Sequence, residues 1–192
     1  CSSGWTDPVP MKAVLDACVL YPTVLREILL GVAAKGLYEA LWSDRILREW
    51  TRATAKLGAE AQAQAEVEAT LMRSAFPRGF VREQPNIEAR LLLPDPNDLH
   101  VLAVAIAGHA DCIVTFNAQD FPRHVLAEEG IERRDPDGLL WELWSFHPAQ
   151  VSEVIAHVHA TAEAMLGGPI PLRKLLKRAQ LPRLAKAMTA EA

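Results

Sequence analysis

Leu93-Pro-Asp-Pro-Asn-Asp98-Leu-His-Val-Leu-Ala-Val-Ala-Ile106, followed shortly by Asp111-Cys-Ile-Val-Thr-Phe-Asn117-Ala-Gln-Asp120, is a complete helix-to-strand step. Asp95-Pro96-Asn97 supplies the polar start of a helix that runs to about Ala107. Asp98 falls in its first turn, where negative charge is favoured by about 0.3–1 kcal/mol. Asp111–Phe116 is apolar and rich in β-branched residues, and it reads as a strong strand. Asn117 and Asp120 follow it and suit a turn.

The same alternation extends in both directions. Ala13–Leu15, within Met11-Lys-Ala-Val-Leu-Asp16-Ala-Cys-Val-Leu20, is a short buried strand that Asp16 closes. Pro22 or Thr23 opens a helix to about Lys35, with Val24, Leu25, Ile28, Leu29 and Val32 at helical spacing and Gly36 as its cap. Ser43 is the N-cap of a helix through about Leu57, ended by Gly58. Ala59–Ala75 consists largely of strong helix formers and predicts a mostly exposed helix. Pro77–Pro94 is expected to hold one strand. Downstream, Pro122–Glu128 reads as a short helix and Ile131–Arg133 as an edge strand. Asp135-Pro-Asp-Gly starts a helix to about Phe146. Over residues 11–146 this order predicts an α/β layered fold with a mainly parallel sheet. Functional groups of such folds gather at the carboxyl ends of the strands, where Asp16 and Asn117 stand.

Residues 147–192 read as a helical extension: Ala149–Leu166, a Gly167-Gly168-Pro169 break, Pro171–Ala179 and Pro182–Met188. Arg173, Lys174, Lys177, Arg178, Arg183 and Lys186 fall there without an acid between Pro171 and Ala190. Leu172, Leu175, Leu176 and Leu181 suit a packed appendage, a dimer or antitoxin contact, or an RNA clamp. Residues 1–10 lack any period and read as a tail, with Met11 a candidate start of the natural chain.

The 192 residues are enough for one good core. The net charge of −4 excludes a general polycation, so any nucleic-acid surface must be local. Cys1, Cys18 and Cys112 are too few and scattered for a disulfide framework or a zinc site. Cys18 and Cys112 read as buried thiols of a reducing, cytoplasmic setting. No apolar run approaches the roughly 18–20 residues of a membrane span. There is no HExxH, no phosphate-binding glycine loop and no Cys/His ligand spacing. His157 and His159 point to different faces of their helix, and His100 and His109 fit core or surface. Trp42, Trp50, Trp141 and Trp144 are expected in helical contexts as core or interface.

Each acid has a local explanation. Asp16 caps a turn, Glu49 is a helix residue beside Ile46, Leu47 and Trp50, and Asp95 and Asn97 are caps. Jointly they mean more, because the fold brings strand ends and helix starts to one edge. Two carboxylates about 4 Å apart repel by roughly 4 kcal/mol at an effective dielectric near 20. Such a cluster persists by binding protons or a cation. With only oxygen ligands, the favoured cation is Mg²⁺ or Mn²⁺.

On these residues the chain resembles PIN-domain ribonucleases, and among them the VapC-like toxins of type II toxin–antitoxin pairs. The resemblance covers about residues 11–146. It rests on Val14–Leu20, on Trp42-Ser-Asp-Arg-Ile-Leu-Arg-Glu49, on Asp95-Pro-Asn-Asp98-Leu-His-Val-Leu-Ala-Val-Ala, and on Ile113-Val-Thr-Phe-Asn117-Ala-Gln-Asp120-Phe-Pro. It implies a three-layer PIN-like fold whose catalytic and metal-holding acids are Asp16, Glu49, Asp98 and Asp120. Thr115 and Asn117 would support them, and Mg²⁺ or Mn²⁺ would be the cofactor. RNA would be the substrate; by their spacing on one helix, Arg45, Arg48 and Arg52, or else the basic C-terminal segment, are the candidates to track its backbone. A cognate antitoxin and a homodimer are implied as partners. One departure is that Ala17 and Cys18 stand where many relatives carry Ser, Thr or Asn, a polar group that can steady the site beside the first acid.

Two other classes compete. A phosphatase of the haloacid-dehalogenase type needs a second Asp where Cys18 stands, and a response regulator needs an acidic pair that is not evident. A non-catalytic interaction or RNA-binding module with a degraded metal site would leave the acids as caps and surface charge.

Overall fold

The computed structural model describes residues 9–190. Residues 1–8 of the expected tail, with Trp5, lie outside the described residues. The elements in order are β1 (Lys12–Leu15), α1 (Ala17–Leu20), α2 (Thr23–Ala34), β2 (Glu39–Leu41), α3 (Asp44–Thr54), α4 (Ala59–Ala75), α5 (Pro85–Glu88), α6 (Leu99–Ala107), β3 (Cys112–Val114), α7 (Arg123–Glu128), β4 (Glu132–Arg134), α8 (Pro136–Phe146), α9 (Pro148–Leu166), α10 (Leu172–Arg178) and α11 (Pro182–Ala190). Single 3₁₀ turns cover Ala55–Leu57 and Pro96–Asp98.

The strands form one sheet in the order β2-β1-β3-β4, and each neighbouring pair is parallel. Helices flank it, as the α/β reading predicts. Ala13, Val14 and Leu15 of β1 and Cys112, Ile113 and Val114 of β3 are buried, which explains their unbroken apolar runs: a parallel strand covered on both faces has no polar face to alternate with. Glu132, Arg133 and Arg134 mark β4 as the edge. Leu15 is in register with Val114, and Val114 with Arg134. The next residues, Asp16, Thr115 and Asp135, therefore leave the sheet along one carboxyl edge. Backbone bonds continue the ladder there: Asp16 N–H donates to Val114 C=O at 3.1 Å, and Thr115 N–H to Arg134 C=O at 3.0 Å.

Helix starts follow their caps. Ser43 Oγ accepts from Ile46 N–H, Asp95 from Asn97 N–H and Asp135 from Gly138 N–H. The expected helix through Leu57 is α-helical only to Thr54 and tightens into a 3₁₀ turn. Three short elements fall outside the sequence expectation, namely β2, α1 and α5. Trp42, expected in a helix, sits fully buried just after β2 and forms a parallel bridge with Phe80. That bridge is all the strand structure in residues 77–94, whose regular element is the helical turn α5. Gly79 is required there. A Cβ would lie 2.8 Å from the Ala40 carbonyl oxygen and 2.8 Å from the Trp42 ring.

Helix α6 packs on β1 and β3, and α3 packs on α1 and α4. Helix α9 lies on α2 and α8 through Val151, Val154, Ile155 and Val158, all buried, and α11 packs on α8 and α10. No helix among the described residues is long and apolar enough to cross a membrane.

Candidate active site

Asp16 is the link between β1 and α1. It is 6% exposed and has extended backbone, so its carboxylate can cap α1. Oδ1 accepts from Ala17 N–H at 2.8 Å. Oδ2 accepts from the Thr115 hydroxyl at 2.8 Å and from the Cys18 thiol at 3.3 Å. Thr115 Oγ1 in turn accepts from Asn117 N–H at 2.9 Å. Polar support beside Asp16 is therefore supplied by Cys18 and by Thr115, the residue after β3. Burial, and then the nearby Asp16 charge, push the Cys18 thiol up to about 12, so it keeps its proton and remains a donor. Burial also raises the pKa of Asp16 itself, against the lowering effect of its donors.

The second group assembles from the start of α6 and the turn after β3. One carboxylate oxygen from each of Asp95, Asp98 and Asp120 lies within 4.8 Å of the others. Asn117 braces two of them: its amide donates to Asp120 Oδ2 at 2.6 Å and to Asp98 Oδ2 at 3.3 Å. Asp98 is half-buried, and its pKa is pushed up to about 6. Desolvation is the largest cause, followed by the charges of Asp16, Asp95, Asp120 and Glu49. Asp98 is thus the meeting point of the four other acids, although Asp16 and Glu49 stand outside the close triad.

Glu49 reaches the edge from α3. His100, 1% exposed on α6, places Nε2 2.9 Å from Glu49 Oε1, and neither ring nitrogen has an aligned hydrogen-bond partner. Arg45 approaches Glu49 at 3.6 Å and Glu88 at 3.6 Å. Arg48 is held by Glu83 at 2.7 Å, while Arg52 is exposed. Two of the three arginines expected to track RNA are thus already engaged by carboxylates. A cavity of about 550 Å³ between α2 and α9, lined by Leu30, Gly31, Val154, His157 and Val158, contains none of the clustered acids. The acids lie along the edge of the sheet instead.

For Asp95 the sequence predicts a cap only. It is a cap, but the 3₁₀ turn at Pro96–Asp98 also brings residues three apart onto one side. The Asp-x-x-Asp spacing across a proline is the signal that could have found it. His100 fits core or surface by sequence, and nothing local marks its approach to Glu49. The donor set is entirely carboxylate oxygen, braced by hydrogen bonds, with like charges held close. That triad suits a hard divalent cation better than a soft one.

Residues 12–119, more than half of the 192-residue chain, match a family model described as PIN domain. A comparison with curated proteins found no match.

Proposed function

The chain belongs to the PIN-domain family, whose members are generally nucleases, and on that premise we propose that it is a Mg²⁺- or Mn²⁺-dependent endoribonuclease. The observation that carries the reading is the convergence of Asp95, Asp98 and Asp120 within 4.8 Å, next to a buried, triply hydrogen-bonded Asp16. Asp98 and Asp120 would hold the cation with Asp95 or Asp16, and Glu49 would act as a ligand directly or through water. A bound divalent cation lowers the pKa of its water and offsets charge on the scissile phosphate.

The chain's own groups supply positioning. Thr115 and Cys18 hold Asp16 Oδ2 in one orientation, and Oδ1, which accepts only from Ala17 N–H, keeps a lone pair free. Asn117 keeps Asp98 and Asp120 together against their mutual repulsion. His100 and Arg45 direct Glu49. No step requires a nucleophilic side chain.

The resemblance to VapC-like proteins makes a toxin of a toxin–antitoxin pair, acting in the cytoplasm as a homodimer under a cognate antitoxin, the fuller form of this reading. A small neighbouring reading frame encoding a DNA-binding protein would support that form.

The chemistry is tested by Mn²⁺-dependent cleavage of RNA by wild type and Asp16→Asn. Wild type should cleave, and the variant should lose roughly a hundredfold or more of the rate, the scale of removing a charge-stabilising group at a reacting centre. A variant that cleaves at the wild-type rate, in a preparation free of other nucleases, sinks the proposal. If Mn²⁺ does not bind, and Asp98→Ala changes nothing, the non-catalytic module is the better account.

A further inference from the structure

The strongest feature outside the acidic edge is the face of α10 and α11. Arg173, Lys174, Lys177 and Arg178 are exposed on α10 over buried Leu175 and Leu176. Arg183 and Lys186 are exposed on α11 over buried Leu184 and Ala185. Among the described residues none of these six cations forms an ion pair, whereas Arg45, Arg48, Arg73, Arg90 and Arg134 each have a carboxylate partner.

Helix electrostatics account for only two of them. Lys177 and Arg178 lie in the last turn of α10, where the helix dipole favours positive charge. Arg173 and Lys174 lie in its first turn, and Arg183 lies in the first turn of α11, where the dipole opposes them. A solvated face needs no such placement, and the rest of a chain with net charge −4 supplies no comparable run.

The face begins at the edge that carries the acids. β4 ends in register with β3, so Asp135 and the start of α8 share the carboxyl edge with Asp16 and Thr115. From that first turn, Asp137 accepts from Arg183 N–H at 2.8 Å and Leu184 N–H at 3.0 Å, which fixes the start of α11 there. The Arg183 guanidinium lies 5.1 Å from the centre of the Trp141 ring, and Trp141 is 37% exposed.

We propose that the exposed face of α10 and α11, with Trp141 at its near end, is a track for single-stranded RNA passing the acidic edge. Phosphates lie along the six cations, and one base stacks at the Trp141–Arg183 pair. The assignment rests on the nuclease reading and adds where its polymer is held. A cluster of acids repels a polyanion, so a polymer substrate needs a separate cationic surface within reach. A cationic row beside an exposed aromatic ring is how unpaired strands are held without reading sequence.

The test uses the full chain in EDTA with a short fluorescein-labelled single-stranded RNA, read by fluorescence anisotropy across a salt series. Lys174→Glu/Lys177→Glu/Arg178→Glu, at exposed sites and checked by circular dichroism, should weaken binding about tenfold or more. The log–log salt slope should fall by about 2, at roughly 0.7 for each phosphate that is no longer neutralised. Trp141→Ala should weaken binding less and leave the slope unchanged. Equal affinity and slope in the triple variant overturn the proposal. So does loss of binding in Arg52→Glu with none in the triple variant, or tighter binding of poly-glutamate than of RNA. The nuclease reading is measured separately, by Mn²⁺-dependent hydrolysis of bis(p-nitrophenyl) phosphate by wild type. If that hydrolysis is absent while the triple variant loses RNA, the track stands and the nuclease fails.

Discussion

At the scale of single residues, Asp98 shows what the cluster costs the protein. Its carboxyl ionises near 3.8 without the fold and near 6 within it, through desolvation and then four neighbouring acids. The folded state therefore binds this proton more tightly than the unfolded state does. Stability from this group is full below pH 3.8 and is lost as pH rises through about 6. Metal-free Asp98→Asn should accordingly be more stable than wild type near neutral pH, by about 0.5–2 kcal/mol. Its advantage should shrink below about pH 5. The same variant should lose RNA cleavage. Urea denaturation at two pH values, with EDTA present, checks the sign. A variant less stable than wild type near neutral pH contradicts the repulsion. Local patterns made Asp98 legible as a first-turn acid but not Asp95 as its partner, because capping a helix and facing a second carboxylate look identical in sequence.

At the scale of elements, Arg26 shows how short helices with weak signals are held. It is 5% exposed on α2, donates to Leu20 C=O at the end of α1 at 2.6 Å and pairs with Glu68 of α4. Its guanidinium also lies 4.6 Å from the centre of the Trp50 ring on α3. One cation thus joins four helices, and the first of them begins at Asp16. Burial lowers its pKa, while Glu68 opposes that effect. Arg26→Met should cost about 3 kcal/mol, because the Leu20 carbonyl and Glu68 lose their partner together. Glu68→Leu in the same chain should recover part of the loss. A chemical-denaturation midpoint equal to wild type in the single variant contradicts this. Helix α1 and strand β2 escaped the sequence reading for the same reason that they need such ties. Glu39–Leu41 has no β-branched residue to mark a strand and Ala17–Leu20 is a single turn without a period, so their packing fixes them.

At the scale of the whole molecule, residues 147–190 are packed into the fold through α2 and α8. Val151, Val154, Ile155 and Val158 are buried against helices that would otherwise expose apolar surface, and a Cβ on Gly31 would lie 2.6 Å from Val154 Cγ1. A chain ending at residue 146 should lose the cooperative thermal transition of the full protein, or melt at least about 10 °C lower. An unchanged transition in the shortened chain would show that the C-terminal helices are independent. Sequence alone settled the longer helices and the central strands of this protein, because period, caps and β-branched runs act between neighbours. It also pointed to ligands dominated by carboxylate oxygen. Only the tertiary structure decided which of those groups meet. Thr115 reaches Asp16 across 99 positions of chain, and the parallel register of β1 with β3 alone makes that distance 2.8 Å. The same register brings the start of α11, with its exposed cations, to the edge that holds the acids.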